Sequence, residues 1–253
     1  INLGFAVVGR APFAYSSPVP GHAQPLLAAT RFCAVFGFPV RHSASPPMQN
    51  AGIAALELDW RYLACEVRPE DLREAIAGAR AMHFIGLNLT VPHKLLALEI
   101  MDVLDESARE WGAVNTIRFE GRDNDGEWQP LHAFETAPKE LRSHGFNTDA
   151  DAITQSLREE LGMEVRGESV LLLGAGGAGR VAALKLAASG VKALHLVNRT
   201  IGKAEVLAGE VRDRFPAVKV AVGFPESELD LVMNATSLGL KAGDALPHGE
   251  FLL

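Results

Sequence analysis

VLLLGAGGAGR, at residues 170–180, is the stretch that decides the fold. It places Gly174, Gly176 and Gly179 in a G-x-G-x-x-G spacing, directly after an apolar run typical of a strand and at the opening of an Ala-rich helix. The first glycine permits a tight turn, the second lets a pyrophosphate approach the backbone, and the third lets the helix pack against the strand. Backbone N–H groups at the helix N-terminus suit an anion. The stretch predicts a dinucleotide-binding unit, although the same glycines would also make a tight turn that binds nothing.

The end of the next predicted strand bears on the choice of cofactor. NAD sites usually carry an acidic side chain about 20 residues past the glycines, where it binds the ribose hydroxyls. Here the run is HLVNRT, in which Asn198 replaces the acid and Arg199 offers a fork suited to phosphate, with Thr200 and Lys203 as nearby donors. This pattern favours NADP over NAD. In the alternative interpretation, Arg199 and Lys203 are solvated residues at the start of a helix.

The order of apolar runs predicts the fold class. From Arg31 onward, short β-branched or aromatic runs alternate with longer amphipathic stretches, which is typical of βα units around largely parallel sheets. In the first half, strands are predicted at 32–37, 61–67 and 84–90, and helices at 47–58, 69–80, from 92 toward 104, and at 106–111. In the second half, helices are predicted at 149–161, 177–188 and 201–215, and strands at 169–173, 193–197, 218–222 and 229–234.

These elements predict an α/β protein with an N-terminal α/β substrate-binding domain and a C-terminal Rossmann-like NADP-binding domain. Residues 1–30 are expected to be a loosely ordered lead-in, residues 31–149 the first domain and residues 150–253 the second. Residues 120–144 are polar, rich in turn formers and without periodicity, so we expect a surface excursion inserted in the first domain. Cofactor and substrate are expected to meet in the cleft between the domains.

The composition disfavours several other classes of function. The chain has 253 residues, 48% hydrophobic and 22% charged, and no apolar run approaches the roughly 20 residues that span a bilayer. Its 31 acidic and 24 basic residues give a net charge of −7, so nucleic acid is not an expected partner. Cys33 and Cys65 lie in apolar runs and are predicted to be free thiols, which suits the cytoplasm. His42 and His93 lack partners at ligand spacing, so no metal is expected.

Three polar clusters of the first half have ordinary structural explanations when taken singly. HSASP, at 42–46, places two serines on one side of an extended segment, but Ser45 could also be a helix N-cap. AVNT at 113–116 and GFNTD at 145–149 could be turns, with Asp149 as the start of a helix.

A fourth cluster is NLTVPHK, at 88–94. Alternation along the predicted strand points Asn88 and Thr90 the same way, and the turn that follows presents Lys94. An isolated lysine is usually solvated, so this cluster taken singly is also no proof of a site.

Taken together and in order, the motifs HSxSP, NxTxPxK, AVNT, GFNTD, GAGGAGR, NRT and NATSxG resemble the shikimate dehydrogenase family across roughly residues 32–240. The resemblance implies two α/β domains and the reversible reduction of 3-dehydroshikimate to shikimate by NADPH, a step of chorismate and aromatic amino acid biosynthesis. It implies a small-molecule substrate as the binding partner and a cytoplasmic location, and it is compatible with a homodimer.

The resemblance also implies roles for residues that match the motifs. Lys94 and Asp149 would form the catalytic pair, and Ser43 and Ser45 would bind the substrate carboxylate through their hydroxyls. The ring hydroxyls would be held by Asn88, Thr90, Asn115 and Asp149. The residues expected at the cofactor are Gly174, Ala175, Gly176, Gly177, Ala178, Gly179, Asn198, Arg199, Thr200, Lys203, Asn234, Thr236 and Ser237. Independently of the resemblance, hydride delivery to a ketone builds negative charge on oxygen, which a cationic donor such as Lys94 can stabilise and protonate.

The chain departs from that family in two places. Residues 120–144 insert a polar excursion where the family has a short hairpin. The sequence also stops at Leu253, before the strand, the substrate-touching glutamine and the helices with which the family continues, and it begins with Ile1. We therefore expect the sequence to be incomplete.

Three alternative functions stay open at this point. An NAD-dependent quinate/shikimate dehydrogenase would be favoured by an acid in place of Asn198. A non-catalytic ligand-binding paralogue or an inactive fragment would bind ligand without turnover. Another two-domain NADP dehydrogenase, such as one acting on methylene-tetrahydrofolate, fits less well, because Ser43 and Ser45 ahead of the Lys94 cluster suit a small hydroxylated carboxylate.

Overall fold

A computed structural model describes residues 26–236 and 238–239 of the chain. By its internal contacts the chain divides between Thr148 and Asp149 into two compact units, named here the N-terminal unit and the C-terminal unit. Both combine helices with a sheet, which confirms the predicted α/β class. No helix in the described ranges is long and apolar enough to cross a bilayer.

The N-terminal unit is built on one seven-stranded sheet. Its elements are β1 (Arg31–Gly37), α1 (Ser45–Ala55), β2 (Trp60–Glu66), α2 (Leu72–Ala81), β3 (Gly86–Leu89), α3 (His93–Leu96), β4 (Val103–Leu104), α4 (Glu106–Trp111), β5 (Thr116–Arg122), β6 (Trp128–Pro130) and β7 (Leu141–Phe146). Short 3₁₀ turns lie at Pro69–Asp71, Ala97–Glu99 and Leu131–Ala133. The strand order is β2-β1-β3-β5-β7-β4, and β6 pairs with β5 beside this path.

Hydrophobic side chains cover both faces of this sheet. The buried positions of α2 are Leu72, Ile76 and Ala79, spaced as one helical face, and they join a core that contains Phe119. A smaller cluster of Val35, Val40, Ile53 and Tyr62 includes residues of α1, β1 and β2. The sheet is therefore held by two separate apolar clusters.

The C-terminal unit has a simpler, fully parallel sheet. Its elements are α5 (Asp149–Leu161), β8 (Ser169–Leu173), α6 (Gly177–Ala188), β9 (Ala193–Val197), α7 (Ile201–Arg214), β10 (Lys219–Val222) and β11 (Leu231–Asn234). The strand order is β10-β9-β8-β11, with every pair parallel. Val170 to Leu173 on the central strand β8 are at most 1% exposed, which explains their continuous apolar run.

The N-terminal sheet corrects the prediction of a largely parallel arrangement. β1 is parallel to β2 and β3, and β4 is parallel to β7, but β5 runs antiparallel to β3, β6 and β7. The chain joins β5 to β7 without a crossover helix, and strands joined in that way pair antiparallel. Residues 120–144 are therefore not simply a surface excursion, because β5 and β7 extend into them and Glu120 is paired with Arg142.

The helix predicted from 92 toward 104 is also wrong in its length. α3 and the 3₁₀ turn after it end at Glu99, and Val103–Leu104 is the strand β4. Asp102 explains the change: its N–H donates to Ser143 Oγ at 3.0 Å, and its Oδ2 accepts from Ser143 N at 2.7 Å. These bonds tie the chain to β7 and end the helix.

The two cysteines are free, as predicted. Cys33 lies on β1 and Cys65 on β2, and both are half-buried. Burial raises the pKa of the Cys33 thiol to about 11, so this thiol stays protonated at neutral pH.

Glu120 is a buried carboxylate on the sheet face opposite Phe119. Its side chain is 1% exposed and receives hydrogen bonds from Arg118 Nε at 2.8 Å, Arg142 Nε at 2.7 Å and His144 Nδ1 at 3.1 Å. Burial alone would raise the pKa of Glu120, but the bonds from Arg118, Arg142 and His144 outweigh it and hold the pKa below its ordinary value. The carboxylate thus couples β5 to β7.

We expect Glu120→Gln to destabilise the N-terminal unit by about 2–4 kcal/mol at neutral pH, because it removes the charge that two arginines share. All three tryptophans, Trp60, Trp111 and Trp128, lie in this unit, so urea unfolding followed by tryptophan fluorescence reports on it. A carboxylate with a depressed folded-state pKa stabilises above its unfolded-state pKa and loses that effect as pH falls. The difference from wild type should therefore shrink below pH 4.5, the ordinary value.

Glu140→Gln is the matched control. Glu140 is 64% exposed and pairs with Arg122 at 3.2 Å, and exposed pairs contribute about 0–1 kcal/mol. Equal effects of the two substitutions would contradict a special role for Glu120.

Candidate active site

The glycine-rich turn between β8 and α6 is a place of close backbone approach. Gly174 has a φ of +106°, and a Cβ there would lie 2.8 Å from the carbonyl oxygen of Ala235. A Cβ at Gly179 would lie 2.0 Å from the carbonyl oxygen of Gly174. Both positions therefore require glycine. At Gly176, by contrast, no described atom beyond the residue itself and its two chain neighbours lies within 4 Å of a Cβ position, so open space remains over the start of α6.

The side chain of Asn198 braces this turn. Its Oδ1 accepts from the N–H of Ala175 at 3.0 Å, and its Nδ2 donates to the carbonyl oxygen of Thr200 at 2.8 Å. Asn198 thus joins the loops that follow β8 and β9. The N–H of Ala175, a predicted cofactor residue, is already bonded within the protein.

Three polar residues at the start of α7 are exposed and suit a phosphate. Arg199, Thr200 and Lys203 are all exposed, and the Thr200 hydroxyl makes no cap bond to the helix. Over residues 26–236, neither Arg199 nor Lys203 forms an ion pair. Cations without an acidic partner, at a helix N-terminus and one strand away from the glycine-rich turn, match the 2′-phosphate of NADP.

The loop after β11 forms a turn through its own side chains. Asn234 Oδ1 accepts from Thr236 N at 2.9 Å and from Thr236 Oγ1 at 2.7 Å, while its Nδ2 donates to Leu238 O at 2.9 Å. Ala235 N donates to Leu173 O at 2.7 Å, which places this loop beside the glycine-rich turn. Ser237, also a predicted cofactor residue, lies outside the described residues.

In the N-terminal unit, the loops after β1 and β3 pack against each other. Phe38 N donates to Val91 O at 3.0 Å, and Thr90 N donates to Phe36 O at 2.9 Å. A Cβ at Gly37 would lie 2.4 Å from the γ-methyl of Thr90, so glycine is required. Because β1 and β3 are parallel, the HSASP and NLTVPHK clusters follow strands at the same edge of the sheet.

Ser43 and Ser45 begin the segment that leads into α1. Ser43 Oγ accepts from Ser45 N at 3.2 Å. The alternative of Ser45 as an N-cap is wrong, because Ala44 is the cap residue and Ser45 is the first residue of the helix. The Ser45 side chain is instead buried, 4% exposed, near the Tyr62 phenol, whose pKa is raised by burial.

Asn88 on β3 is the centre of a chain of hydrogen bonds. The Tyr62 hydroxyl donates to Asn88 Oδ1 at 2.7 Å, and Asn88 Nδ2 donates to Thr116 Oγ1 at 3.1 Å. Thr116 Oγ1 donates to Asn115 Oδ1 at 3.1 Å, which also accepts from Thr148 N at 3.0 Å. The structure thus joins the predicted residues Asn88 and Asn115 in one network.

Sequence reasoning missed three members of this site. Thr116 lies in the AVNT motif, and this could have indicated it. Tyr62 carries no motif, and it reaches Asn88 because β1 has β2 on one side and β3 on the other. Asn50 of α1 holds Tyr62 in place, since its Oδ1 accepts from Tyr62 N at 2.9 Å and its Nδ2 donates to Tyr62 O at 2.8 Å.

Lys94 and His93 open α3 and are both buried. Lys94 is 8% exposed, and its carbonyl accepts from Val114 N at 2.8 Å, which ties α3 to the AVNT segment. His93 is fully buried with Nε2 at 2.9 Å from Val67 O, so Nε2 carries the proton. Burial lowers the pKa of His93 and keeps it neutral. In the described chain His93 Nδ1 has no hydrogen-bond partner.

Asp149 is the first residue of α5 and is 5% exposed. It follows Thr148, whose backbone and side chain are both bonded to Asn115. The pairing of Lys94 with Asp149 and the roles of the other site residues stay predictions. Within residues 26–236 and 238–239, no group of three or more His, Cys, Asp or Glu side chains could hold a metal ion.

The parallel sheet, the glycine-rich turn and the cationic start of α7 are those of a Rossmann-like unit, and its residues fit NADP. The N-terminal unit gathers buried amide, hydroxyl and ammonium groups at one edge of its sheet. Together they define the class of two-domain α/β proteins with a dinucleotide-binding unit.

Comparison with known proteins identifies the family. Residues 35–117 match the model of the shikimate dehydrogenase substrate binding domain, and residues 156–238 match that of shikimate / quinate 5-dehydrogenase. The shikimate dehydrogenase (NADP(+)) of Geobacter metallireducens is 36% identical over 219 residues, which are 83% of this chain and 70% of that protein. The chain belongs to the shikimate dehydrogenase family.

Solved structures agree with this assignment. The crystal structure of shikimate dehydrogenase from Aquifex aeolicus is 35% identical with a TM-score of 0.70, and the match covers 88% of this chain and 75% of that one. A shikimate dehydrogenase in complex with NADP⁺ is 32% identical with a TM-score of 0.70, covering 85% of this chain and 70% of that one.

We expect two glycine substitutions to separate folding from cofactor binding. Gly179→Ala should lower the melting temperature, because its Cβ would overlap the carbonyl oxygen of Gly174. Gly176→Ala should melt like wild type but weaken NADP binding about tenfold or more, because the methyl fills the space that a pyrophosphate would use. Thermal denaturation and fluorescence titration with NADPH measure the two effects.

Gly209→Ala is the control, since Gly209 lies within α7 and nothing is within 4 Å of its Cβ position. It should leave NADPH affinity unchanged. If Gly176→Ala also left the NADPH affinity unchanged, the predicted position of the pyrophosphate over Gly176 would be contradicted.

Proposed function

We propose that the chain catalyses the reversible reduction of 3-dehydroshikimate to shikimate with NADPH. The observation that carries the proposal is the burial of Lys94. In the same unit of this family member, Asn88 and Asn115 are linked by hydrogen bonds through Thr116 at the edge of the sheet. A buried ammonium among amides and hydroxyls suits a small polyhydroxy acid better than an apolar ligand.

Lys94 would act at the carbonyl oxygen of the substrate. As a ketone is reduced, negative charge grows on that oxygen, and an ammonium group stabilises the charge and then supplies a proton. A carboxylate within hydrogen-bond reach, the role proposed for Asp149, would orient the ammonium and accept a bond from the neighbouring hydroxyl. Burial of Lys94 strengthens these interactions, because little water competes for it.

The remaining polar groups would hold the ring. Ser43 and Ser45 would bind the carboxylate, since hydroxyls donate readily to an anion. Thr90, Asn88 and Asn115 would hold the ring hydroxyls. Asn115 also bonds to Thr148, so it would set the position of the segment that leads to Asp149 as well.

The cofactor would bind to the C-terminal unit. When bound, NADPH supplies the hydride. Its pyrophosphate would lie over the start of α6 at Gly176, and its 2′-phosphate would be held by Arg199, Thr200 and Lys203. Asn198 would act by bracing Ala175, since its amide is used within the protein.

The direct test is a rate measurement in which shikimate or quinate is crossed with NADP⁺ or NAD⁺ and nicotinamide reduction is followed by near-ultraviolet absorbance. The proposal requires the highest kcat/KM for shikimate with NADP⁺. Faster turnover of quinate with NAD⁺ would favour the quinate/shikimate dehydrogenase instead. Absence of turnover in all four mixtures would contradict the proposal that the chain catalyses this reaction.

We expect Lys94→Ala to lower kcat by about 10²–10⁴-fold, the usual contribution of general acid–base catalysis, with a smaller change in KM for shikimate. Steady-state kinetics at saturating NADP⁺ separate the two constants. Lys139→Ala, an exposed lysine of the same unit, is the control and should be near wild type. A near-normal kcat in Lys94→Ala would contradict the assignment.

We expect Arg199→Ala to raise KM for NADP⁺ about 10- to 100-fold while KM for NAD⁺ changes little, because NAD⁺ lacks the phosphate that the guanidinium would bind. Lys219→Ala, another exposed cation of the C-terminal unit, controls for net charge. An equal rise for both cofactors would instead indicate a structural role for Arg199.

A homodimer and a cytoplasmic location are further parts of the proposal. Support for a dimer comes from β2, which is an edge strand with Leu63 40% exposed, beside α1 with Met48 43% exposed. Sedimentation equilibrium would show twice the chain mass. The free thiols of Cys33 and Cys65 suit a reducing compartment.

A further inference from the structure

The amide of Asn88 has almost all of its hydrogen-bonding capacity used within the protein. Both hydrogens of Nδ2 have acceptors, Thr116 Oγ1 at 3.1 Å and the carbonyl oxygen of Asn115 at 3.4 Å. Oδ1 accepts from the Tyr62 hydroxyl at 2.7 Å, and an amide oxygen has two lone pairs. In this orientation Asn88 can offer a ligand one acceptor and no donor.

The direction of every bond in this chain is determined. The Thr116 hydroxyl gives its single hydrogen to Asn115 Oδ1 at 3.1 Å, so toward Asn88 it can only accept. The Asn115 carbonyl can only accept. If the Asn88 amide were rotated by 180°, its oxygen would face these two acceptors, and its NH₂ would face the hydroxyl of Tyr62.

Tyr62 is itself held rigidly. Its phenol ring is 5% exposed and packs in the cluster with Val35, Val40 and Ile53. Its backbone N–H and carbonyl are both bonded to the Asn50 side chain, at 2.9 and 2.8 Å. The hydroxyl therefore has little freedom to leave Asn88.

We propose that Tyr62 is a positioning residue for substrate specificity, which together with Thr116 and the Asn115 carbonyl holds the Asn88 amide in the orientation that presents an acceptor to a hydroxyl of the ligand. This inference rests on the proposed function and deepens it. A ligand hydroxyl at this point must donate to Asn88. A ligand with a carbonyl or a hydrogen in that place leaves the second lone pair of Oδ1 without a partner, and sites built around a substrate hydroxyl reject such analogues strongly.

Tyr62→Phe removes only the hydroxyl and tests the inference. We expect KM for shikimate to rise about tenfold, because a single hydrogen bond contributes up to about that factor, and kcat to change by less than about threefold. Asn88 would lose the donor bonded to its Oδ1 and with it one of the bonds that hold its orientation, whereas Lys94 would be untouched. A merely structural role would lower stability and leave KM unchanged.

Thr30→Val is the matched control. Thr30 is 6% exposed, lies just before β1 in the same unit, and its hydroxyl donates to Asp59 at 2.8 Å. It should lower stability by a similar amount without affecting KM.

Thr116→Val removes the next link on the other side of Asn88. Because Tyr62→Phe and Thr116→Val act through one amide, their effects on KM should combine less than additively. If Tyr62→Phe does not fold, Thr116→Val still tests whether the bonds that hold the Asn88 amide set KM: the inference requires a raised KM, and an unchanged KM would overturn it.

A readout without turnover separates this inference from the proposed function. The side-chain NH₂ resonances of Asn88 in a ¹⁵N–¹H NMR spectrum should shift or broaden in Tyr62→Phe and stay in place in Thr30→Val. Wild-type protein without activity on shikimate would refute the proposed function, and the NMR comparison would still decide whether Tyr62 orients Asn88. An unchanged KM together with unchanged Asn88 resonances would overturn the inference.

Discussion

Buried polar side chains of the N-terminal unit are stabilised by hydrogen bonds to one another, and this constraint organises the sheet edge. A buried amide or hydroxyl without a partner costs several kcal/mol in the folded state. Asn88, Thr116 and Asn115 meet the requirement by bonding to one another across two strands and a loop. The bonds give each side chain a defined direction as well as a partner. The candidate site is therefore already oriented before any ligand arrives.

The same requirement acts on charges. Glu120 is buried on the sheet, but two arginines and a histidine surround its carboxylate. Lys94 is buried on a helix whose backbone is tied to the AVNT segment. The first arrangement joins two strands and has no evident chemical task, whereas the second brings a buried lysine next to the segment that contains Asn115. Burial of charge alone thus does not identify a catalytic residue, and the neighbouring groups decide.

The C-terminal unit depends on a different constraint, the contact between backbone segments. Gly179 lies against the carbonyl of Gly174, and Gly174 lies against Ala235, so β8, α6 and the loop after β11 meet without side chains between them. Such approaches leave room for glycine alone. Asn198 braces the same turn from the next strand through its bond to Ala175 N. The neighbouring cations Arg199 and Lys203 are exposed.

The accuracy of the prediction for each element depends on how far apart in the sequence its interacting residues lie. β8, α6 and β9 have the predicted limits, because a buried parallel strand and an Ala-rich helix are marked by local patterns. The helix after Pro92 was predicted too long, because its end depends on Asp102 bonding to Ser143, 41 residues away. The polar residues 120–144 looked like a loop. Along β5, the polar side chains of Arg118 and Glu120 lie on one face of the sheet and apolar side chains on the other, and local composition does not reveal this alternation.

The sequence by itself determined the α/β class, the dinucleotide-binding turn, the basic residues after β9 and the motifs of the family. These features depend on residues that are close together in the chain. Only the tertiary structure decided that Ser45 is not a cap and that Tyr62 bonds to Asn88. It also decided that β5 pairs antiparallel to its neighbours. Strand order brings Tyr62 to Asn88 across 26 positions, and a contact over that distance is set by how the whole sheet assembles rather than by any local pattern.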